Sequence, residues 1–264
     1  MKTNYALILG ASSGFGRATS LILAKDGVHI IGVHLDRAST MPDVENVISE
    51  IKSYGSEAHF FNMNAADAQN RKDILDTVEK IFSEKEEPVI KVLVHSLAFG
   101  TLRKFIDDNP ETQIKQKQME MTIDVMANSL VYWTQDLVKR KLISQGSKIF
   151  ALTSSGGQKV TQYYGAVSAA KSCLESHIRQ LSMELSHLKI SANALLAGVT
   201  DTPALRKIPN HEKIIEAALE RNPHGRLTTP GDIAQFILDV YKDDLTWMTG
   251  NVIRIDGGEN IVEL

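Results

Sequence analysis

Short apolar runs alternating with longer amphipathic stretches constrain the fold of this chain more than any other feature. The runs are Ala6–Leu9, His29–His34, Ala58–Asn62, Val89–His95, Lys148–Leu152, Ile190–Leu195 and Val252–Ile255. Bounded by polar or glycine-containing segments, they predict strands buried on both faces. Between them, apolar residues recur at helical spacing, as at Ile74, Val78, Ile81 and Phe82 and again at Leu174, Ile178, Leu181 and Leu185. Strand and helix in alternation imply right-handed crossovers, and hence an α/β fold: a Rossmann-like, doubly wound parallel sheet of seven strands with helices on both faces.

At 264 residues the chain is within reach of one large α/β unit, and no repeat or low-complexity linker interrupts it, so a single domain over 1–264 is expected. One segment departs from the rhythm. Residues 196–229 replace the usual short connection, with prolines at both flanks and a predicted helix over Glu212–Arg221, and read as a substrate-binding loop. Hydrophobic residues at 43% and charged residues at 23% exclude a disordered or membrane-spanning chain, and the net charge of −3 offers no field for nucleic acid or anionic lipid. The run Tyr5–Leu9 is too short for a signal segment, which points to the cytoplasm. Cys173 stands alone, so no intramolecular disulfide is expected, and it reads as a small buried hydrophobe. The eight histidines show no ligand spacing, and no metal is expected.

The first strand runs into Gly10-Ala11-Ser12-Ser13-Gly14-Phe15-Gly16 and then into a helix carrying Ala18, Leu21, Ile22 and Ala24. Glycines allow the backbone to turn tightly and approach a pyrophosphate, whose charge then lies at the positive helix N-terminus. Such a turn between strand and helix predicts a dinucleotide site built from Gly10, Ser12, Ser13, Gly14, Phe15 and Gly16. An acid at the tip of the second strand would select NADH, whereas a basic residue would select NADPH. That tip falls on His34, with Asp36 and Arg37 just beyond. Arg17 and Arg37 are the candidates for a 2′-phosphate, and NADPH is the form expected, with NADH the alternative.

The spacing G-x3-G-x-G resembles the short-chain dehydrogenase/reductase superfamily, and the resemblance extends along nearly the whole chain. It implies that Asn64-Ala65 contacts adenine. It also implies that Ser96, Leu97 and Ala98 of the His95-Ser96-Leu97-Ala98 turn line the cofactor, as do Gly198, Thr200 and Thr202 of Gly198-Val199-Thr200-Asp201-Thr202. Asp256-Gly257-Gly258 matches the superfamily's C-terminal signature.

That superfamily normally carries Tyr-x3-Lys, but four residues before Lys171 stands Val167, which has no proton to donate. Tyr164 instead lies seven residues before Lys171. On a helix, seven residues are about two turns, so both side chains share a face, while Tyr163 is rotated away by about 100°. Tyr-x6-Lys, the run from His95 to Gly100 and the C-terminal third resemble the enoyl-acyl-carrier-protein reductases of bacterial fatty-acid synthesis, especially the Bacillus-type NADPH-dependent branch. The resemblance implies hydride addition to the β-carbon of a trans-2-enoyl thioester, carried by acyl carrier protein or coenzyme A, within a homotetramer. Tyr164 would donate a hydrogen bond to the enolate oxygen, and Lys171 would bond the nicotinamide ribose and supply positive charge.

Ser154, seventeen residues before Lys171, is the third candidate catalytic residue, and it keeps a carbonyl reductase such as a 3-oxoacyl thioester reductase open. The helix asparagine of carbonyl reducers falls on Met126, which argues the other way. A dinucleotide-binding protein without chemistry is the third alternative. In the loop, Arg206 and Lys207 are candidates for phosphopantetheine or an acidic carrier, or for solvated surface charge.

Overall fold

In a computed structural model describing residues 3–243 and 245–263, every predicted apolar run forms a strand. These are β1 (Asn4–Leu9), β2 (His29–His34), β3 (Ala58–Asn62), β4 (Val89–His95), β5 (Ile143–Ser154), β6 (Ser191–Ala197) and β7 (Val252–Ile255). They join in one sheet of order β3-β2-β1-β4-β5-β6-β7, parallel throughout. The intervening helices are α1 (Gly14–Lys25), α2 (Met41–Ser53), α3 (Ala68–Ser83), α4 (Gln116–Ile123), α5 (Ser129–Lys139), α6 (Gly165–Glu184), α7 (His211–Arg221) and α8 (Pro230–Lys242).

Successive side chains of a strand point to opposite faces, and β1 shows both layers. Tyr5, Leu7 and Leu9 pack with Ile74 and Val78 of α3, Trp133 of α5 and Ile178 of α6. Ala6 and Ile8 pack with Leu23 of α1, Val47 of α2 and Ile237 of α8. The sheet is therefore covered on both sides, as the doubly wound reading requires.

Two expectations need correction. Burial on both faces holds for the inner strands, but β3 and β7 are only partly buried because each edge strand has a single neighbour. Strand β5 also begins earlier than its apolar run, at Ile143. Its pairing with β4 jumps from Ile90↔Ile143 to Val92↔Lys148, an irregularity accommodated by Gly146 at φ 82°.

The chain moves outward from β1 to β2 and β3, then returns to the other side of β1 to place β4. Such a reversal opens a crevice at the carboxyl ends of β1 and β4. The Ser96 amide donates to the Leu9 carbonyl at 2.8 Å and closes the floor of that crevice.

Candidate active site

The glycine turn sits at the carboxyl end of β1, where the backbone is too crowded for side chains. A Cβ on Gly10, whose φ is +91°, would lie 2.7 Å from the Ser96 carbonyl oxygen, and one on Gly16 would lie 2.0 Å from that of Gly10. The amides of Gly10 and Ala11 both donate to the Val33 carbonyl, at 2.8 and 3.1 Å, tying the turn to β2. Ser13 caps α1 without a side-chain bond, so its hydroxyl does not occupy the first-turn amides of Gly14, Phe15 and Gly16. This cradle fits a pyrophosphate. Thr202 closes over it, with its Cγ2 3.5 Å from where a Gly14 Cβ would stand.

At the tip of β2, Asp36 Oδ2 lies 3.0 Å from His34 Nδ1, and Asp36 Oδ1 accepts from Thr40 at 2.8 Å. Burial pushes the Asp36 carboxyl up, but hydrogen bonds from Ser12, Thr40 and His34 together hold it below the usual carboxylate range. The carboxylate thus stands beyond the tip of β2, held by His34 and Thr40, while Arg37 is exposed. Ala65 is fixed by its carbonyl, which accepts from the Trp133 indole at 2.8 Å, and Asn64 bonds the Ala66 amide at 3.0 Å. After β4, Ser96 and Leu97 are half-buried and Ala98 is exposed. Gly198 is as crowded as the first turn: a Cβ there would lie 2.4 Å from Thr228 Oγ1 and 2.8 Å from Glu259 Oε2. The cradle and the crevice fit a dinucleotide.

Lys171 lies on α6, 6% exposed, and its Nζ donates to the Leu152 carbonyl at 2.6 Å. Burial pushes the ammonium down to about 8, and Glu175 opposes that shift. Tyr164 corrects the helical arithmetic. It precedes α6 rather than lying within it, with φ −93° and ψ 1°, and Tyr163 before it has φ +65°. A turn through the Thr161 carbonyl sets the Tyr164 amide, and the Tyr164 carbonyl then accepts the first helical bond from Ser168 at 2.8 Å. The phenol is therefore aimed by the turn, with its hydroxyl 3.4 Å from Ser154 Oγ.

Ser154, Tyr164 and Lys171 meet along one wall. A Cβ on Gly156 would lie 2.5 Å from the Tyr164 ring, and one on Gly157 would lie 3.2 Å from Lys171 Cβ. Burial pushes the Tyr164 phenol up, so near neutral pH it remains a hydrogen-bond donor. Val167, where the superfamily's usual tyrosine would stand, is 5% exposed and packs with Val125, Met126 and Ala170. Met126 belongs to a π-helical turn, Asp124–Asn128, between α4 and α5. Where carbonyl reducers keep a polar relay, this chain has apolar packing.

One other expectation is corrected. Cys173 is half-buried rather than fully buried: it packs against the apolar layer, with Sγ 3.2 Å from His177 Nε2, which itself lies 3.0 Å from Asn128 Oδ1. Arg206 is engaged by Asp201 in two 2.8 Å bonds, while Lys207 is exposed. The loop helix appears as expected, as α7.

The sequence reading missed three supports. His95 is fully buried, its Nε2 2.9 Å from Ser129 Oγ; burial and the charge of Lys171 push it down to about 3, so it is neutral. Glu259 accepts from the Val199 amide at 2.8 Å, and the Asn222 side chain donates to the Asp256 carbonyl at 3.0 Å. The C-terminal turn thus holds the loop strand that carries Gly198 and Thr200. Glu175 accepts from the Thr153 hydroxyl at 2.7 Å. The buried acids at 175 and 259 were the available signal, since an acid at an otherwise apolar position needs a partner.

A fold of this topology, with a glycine cradle at the strand reversal and a tyrosine and lysine beside it, defines a nucleotide-dependent oxidoreductase. The family profile described as Enoyl-(Acyl carrier protein) reductase matches residues 10–260, and the chain belongs to that family within the short-chain dehydrogenase/reductase superfamily. It is an NAD(P)-dependent oxidoreductase. Its relatives divide between two reactions. A 3-oxoacyl-[acyl-carrier-protein] reductase, FabG of Thermotoga maritima, is 27% identical over 252 residues, covering 96% of each chain. An enoyl-[acyl-carrier-protein] reductase [NADH], FabI of Aquifex aeolicus, is 26% identical over 258 residues, covering 97% of this chain and 91% of the relative. In fold, the chain is similar to FabI from Candidatus Liberibacter asiaticus, with a TM-score of 0.85 at 22% identity, covering 100% of this chain and 97% of the other.

Proposed function

We propose that this protein reduces the trans-2 double bond of an enoyl thioester, presented on acyl carrier protein or coenzyme A. The observation that carries the reading is the position of the phenol. Tyr164 stands beside Ser154, and the place of the ordinary tyrosine is filled by Val167 against Met126.

When bound, the dinucleotide supplies the hydride. Gly10, Ser12, Ser13, Gly14, Phe15 and Gly16 would hold its pyrophosphate, Asn64 and Ala65 its adenine, and Ser96, Leu97, Ala98, Gly198, Thr200 and Thr202 its nicotinamide end. As hydride adds to the β-carbon of the substrate, negative charge grows on the thioester oxygen. Tyr164 and Ser154 are placed to donate hydrogen bonds to that oxygen, and such preorganised donors act most strongly where charge develops. Lys171, buried and charged below about pH 8, would add a positive field and bond the ribose of the bound dinucleotide.

On cofactor form, the position of Asp36 supports NADH. A carboxylate just beyond the tip of β2 favours ribose hydroxyls and repels a 2′-phosphate, whereas Arg37 is exposed. NADPH, held through Arg17 and Arg37, is the alternative form. We further propose one catalytic domain over 1–264 with 196–229 as substrate loop, a cytoplasmic homotetramer, and recognition of the carrier through Arg206 and Lys207. No helix among the described residues is long and apolar enough to cross a membrane.

A second reading, reduction of a 3-oxoacyl thioester, is favoured by the Ser154 hydroxyl 3.4 Å from Tyr164. Steady-state rates with crotonyl-CoA and acetoacetyl-CoA, each with NADH and NADPH, separate the two. Enoyl turnover that Tyr164→Phe abolishes is the expected result. Enoyl turnover no higher than in that variant, alongside rapid acetoacetyl-CoA reduction, would install the second reading. Tight cofactor binding with no turnover of either thioester would leave a non-catalytic binding protein.

A further inference from the structure

Thr153 and Glu175 form a buried pair that the chemistry above does not use. Thr153 precedes Ser154 on β5, and its hydroxyl donates to Glu175 Oε1 at 2.7 Å. Glu175 is 8% exposed and stands four residues beyond Lys171, one turn along the same face of α6. A carboxylate at that depth costs desolvation, and an apolar side chain there would join the core without that cost.

The groups around Lys171 differ in charge. His95 on β4 is buried and neutral, Tyr164 is an un-ionised phenol, and Leu152 supplies only a carbonyl. Glu175 is the carboxylate whose field reaches the amine and opposes the effect of burial. Gly157 keeps this wall thin: a Cβ there would stand 3.2 Å from Lys171 Cβ and 3.6 Å from Glu175 Oε1.

We propose that Glu175 is a positioning residue for Lys171, holding the buried amine in its charged form through the neutral pH range, with Thr153 fixing the carboxylate. The inference rests on Lys171 acting as a cation in the reduction proposed above, and holds for an enoyl or a keto substrate alike. Removing the negative charge lowers the pH at which Lys171 loses its proton.

The test is kcat/KM against pH with whichever thioester the wild-type enzyme turns over. Wild type loses rate as pH rises through about 8. In Glu175→Gln the fall moves to lower pH, so the loss relative to wild type is about threefold or more greater at pH 8 than at pH 6. Glu175→Asp, which keeps the charge, moves it less, and Thr153→Val gives a smaller displacement in the same direction. A Glu175→Gln loss that is uniform across pH would mean that Glu175 is only structural, and would overturn the proposal. The lysine Cε resonance of carbon-13-labelled protein, assigned by its absence in Lys171→Arg, reads the same titration without turnover. Failure of both thioesters would therefore sink both reduction readings while the resonance still reads the Lys171 titration, whereas an unmoved Lys171 midpoint in Glu175→Gln would sink this inference alone.

Discussion

The two walls of the cleft are made by different means. On the β1 side the backbone does the recognising: Gly10 and Gly16 exclude any Cβ, and the amides at the start of α1 face the site. On the β5 side the wall is built of side chains, on which the proposed chemistry would depend: Tyr164 at the end of a turn, Ser154 beside it, and Val167 packed against Met126. Relatives at 26% and 27% identity carry names for two different reductions, and on the proposed reading a shared cradle would serve either one while side chains on the opposite wall would decide between them.

If the division holds, a change on the side-chain wall removes chemistry and leaves binding, while a change on the backbone wall does the reverse. The largest effect belongs to Tyr164→Phe. Losing a donor to the developing oxyanion costs about 10²- to 10³-fold in kcat, with the dinucleotide dissociation constant little changed by calorimetry. Gly16→Ala comes next. Its Cβ would meet backbone 2.0 Å away, which nothing nearby can yield to, so stability falls by about 1–3 kcal/mol or more. Cofactor affinity falls with it, read by thermal unfolding with and without NADH. A Tyr164→Phe protein that cannot bind cofactor, or a Gly16→Ala protein that binds it normally, would break the comparison.

The same asymmetry governs what the sequence reveals. Glycines at 10, 14 and 16 are legible because a backbone requirement maps onto one residue type, and the alternating apolar runs are legible because burial has a period. The partial exposure of β3 and β7 follows from their place at the sheet's edges, which no run of residues records. Tyr164 is found by spacing, but the geometry behind it differs from an ideal helix. A turn with Tyr163 at φ +65° starts α6 one residue later than the two-turn arithmetic assumes. Glu175 carries no motif at all, and its role appears only when folding sets Thr153 against it; Asp36 is named by its place beyond β2, but its contacts with His34 and Thr40 are visible only in the fold.

Asp36→Asn sharpens the comparison on the cradle side, where a single side chain does matter. Neutralising the carboxylate beside Ser12 removes repulsion toward a 2′-phosphate while the His34 and Thr40 contacts can persist. The ratio of kcat/KM with NADPH to that with NADH should rise about tenfold, the equivalent of ~1.4 kcal/mol. An unchanged ratio would shift cofactor choice to Arg37 and Arg17.

The smallest effect is expected at Cys173 on α6, which packs against the apolar layer while meeting polar partners. Cys173 Sγ has His177 Nε2 at 3.2 Å and is only half-buried, so a serine hydroxyl can replace it as a small polar partner. Cys173→Ser should therefore change stability by no more than about 0.5 kcal/mol in urea unfolding, and leave the pH profile of turnover where it was. A true core position would respond differently, because a hydroxyl buried among apolar groups without a partner costs about 1–3 kcal/mol. A loss of that size would mean that apolar packing, rather than the His177 contact, sets the cost of a hydroxyl at this position.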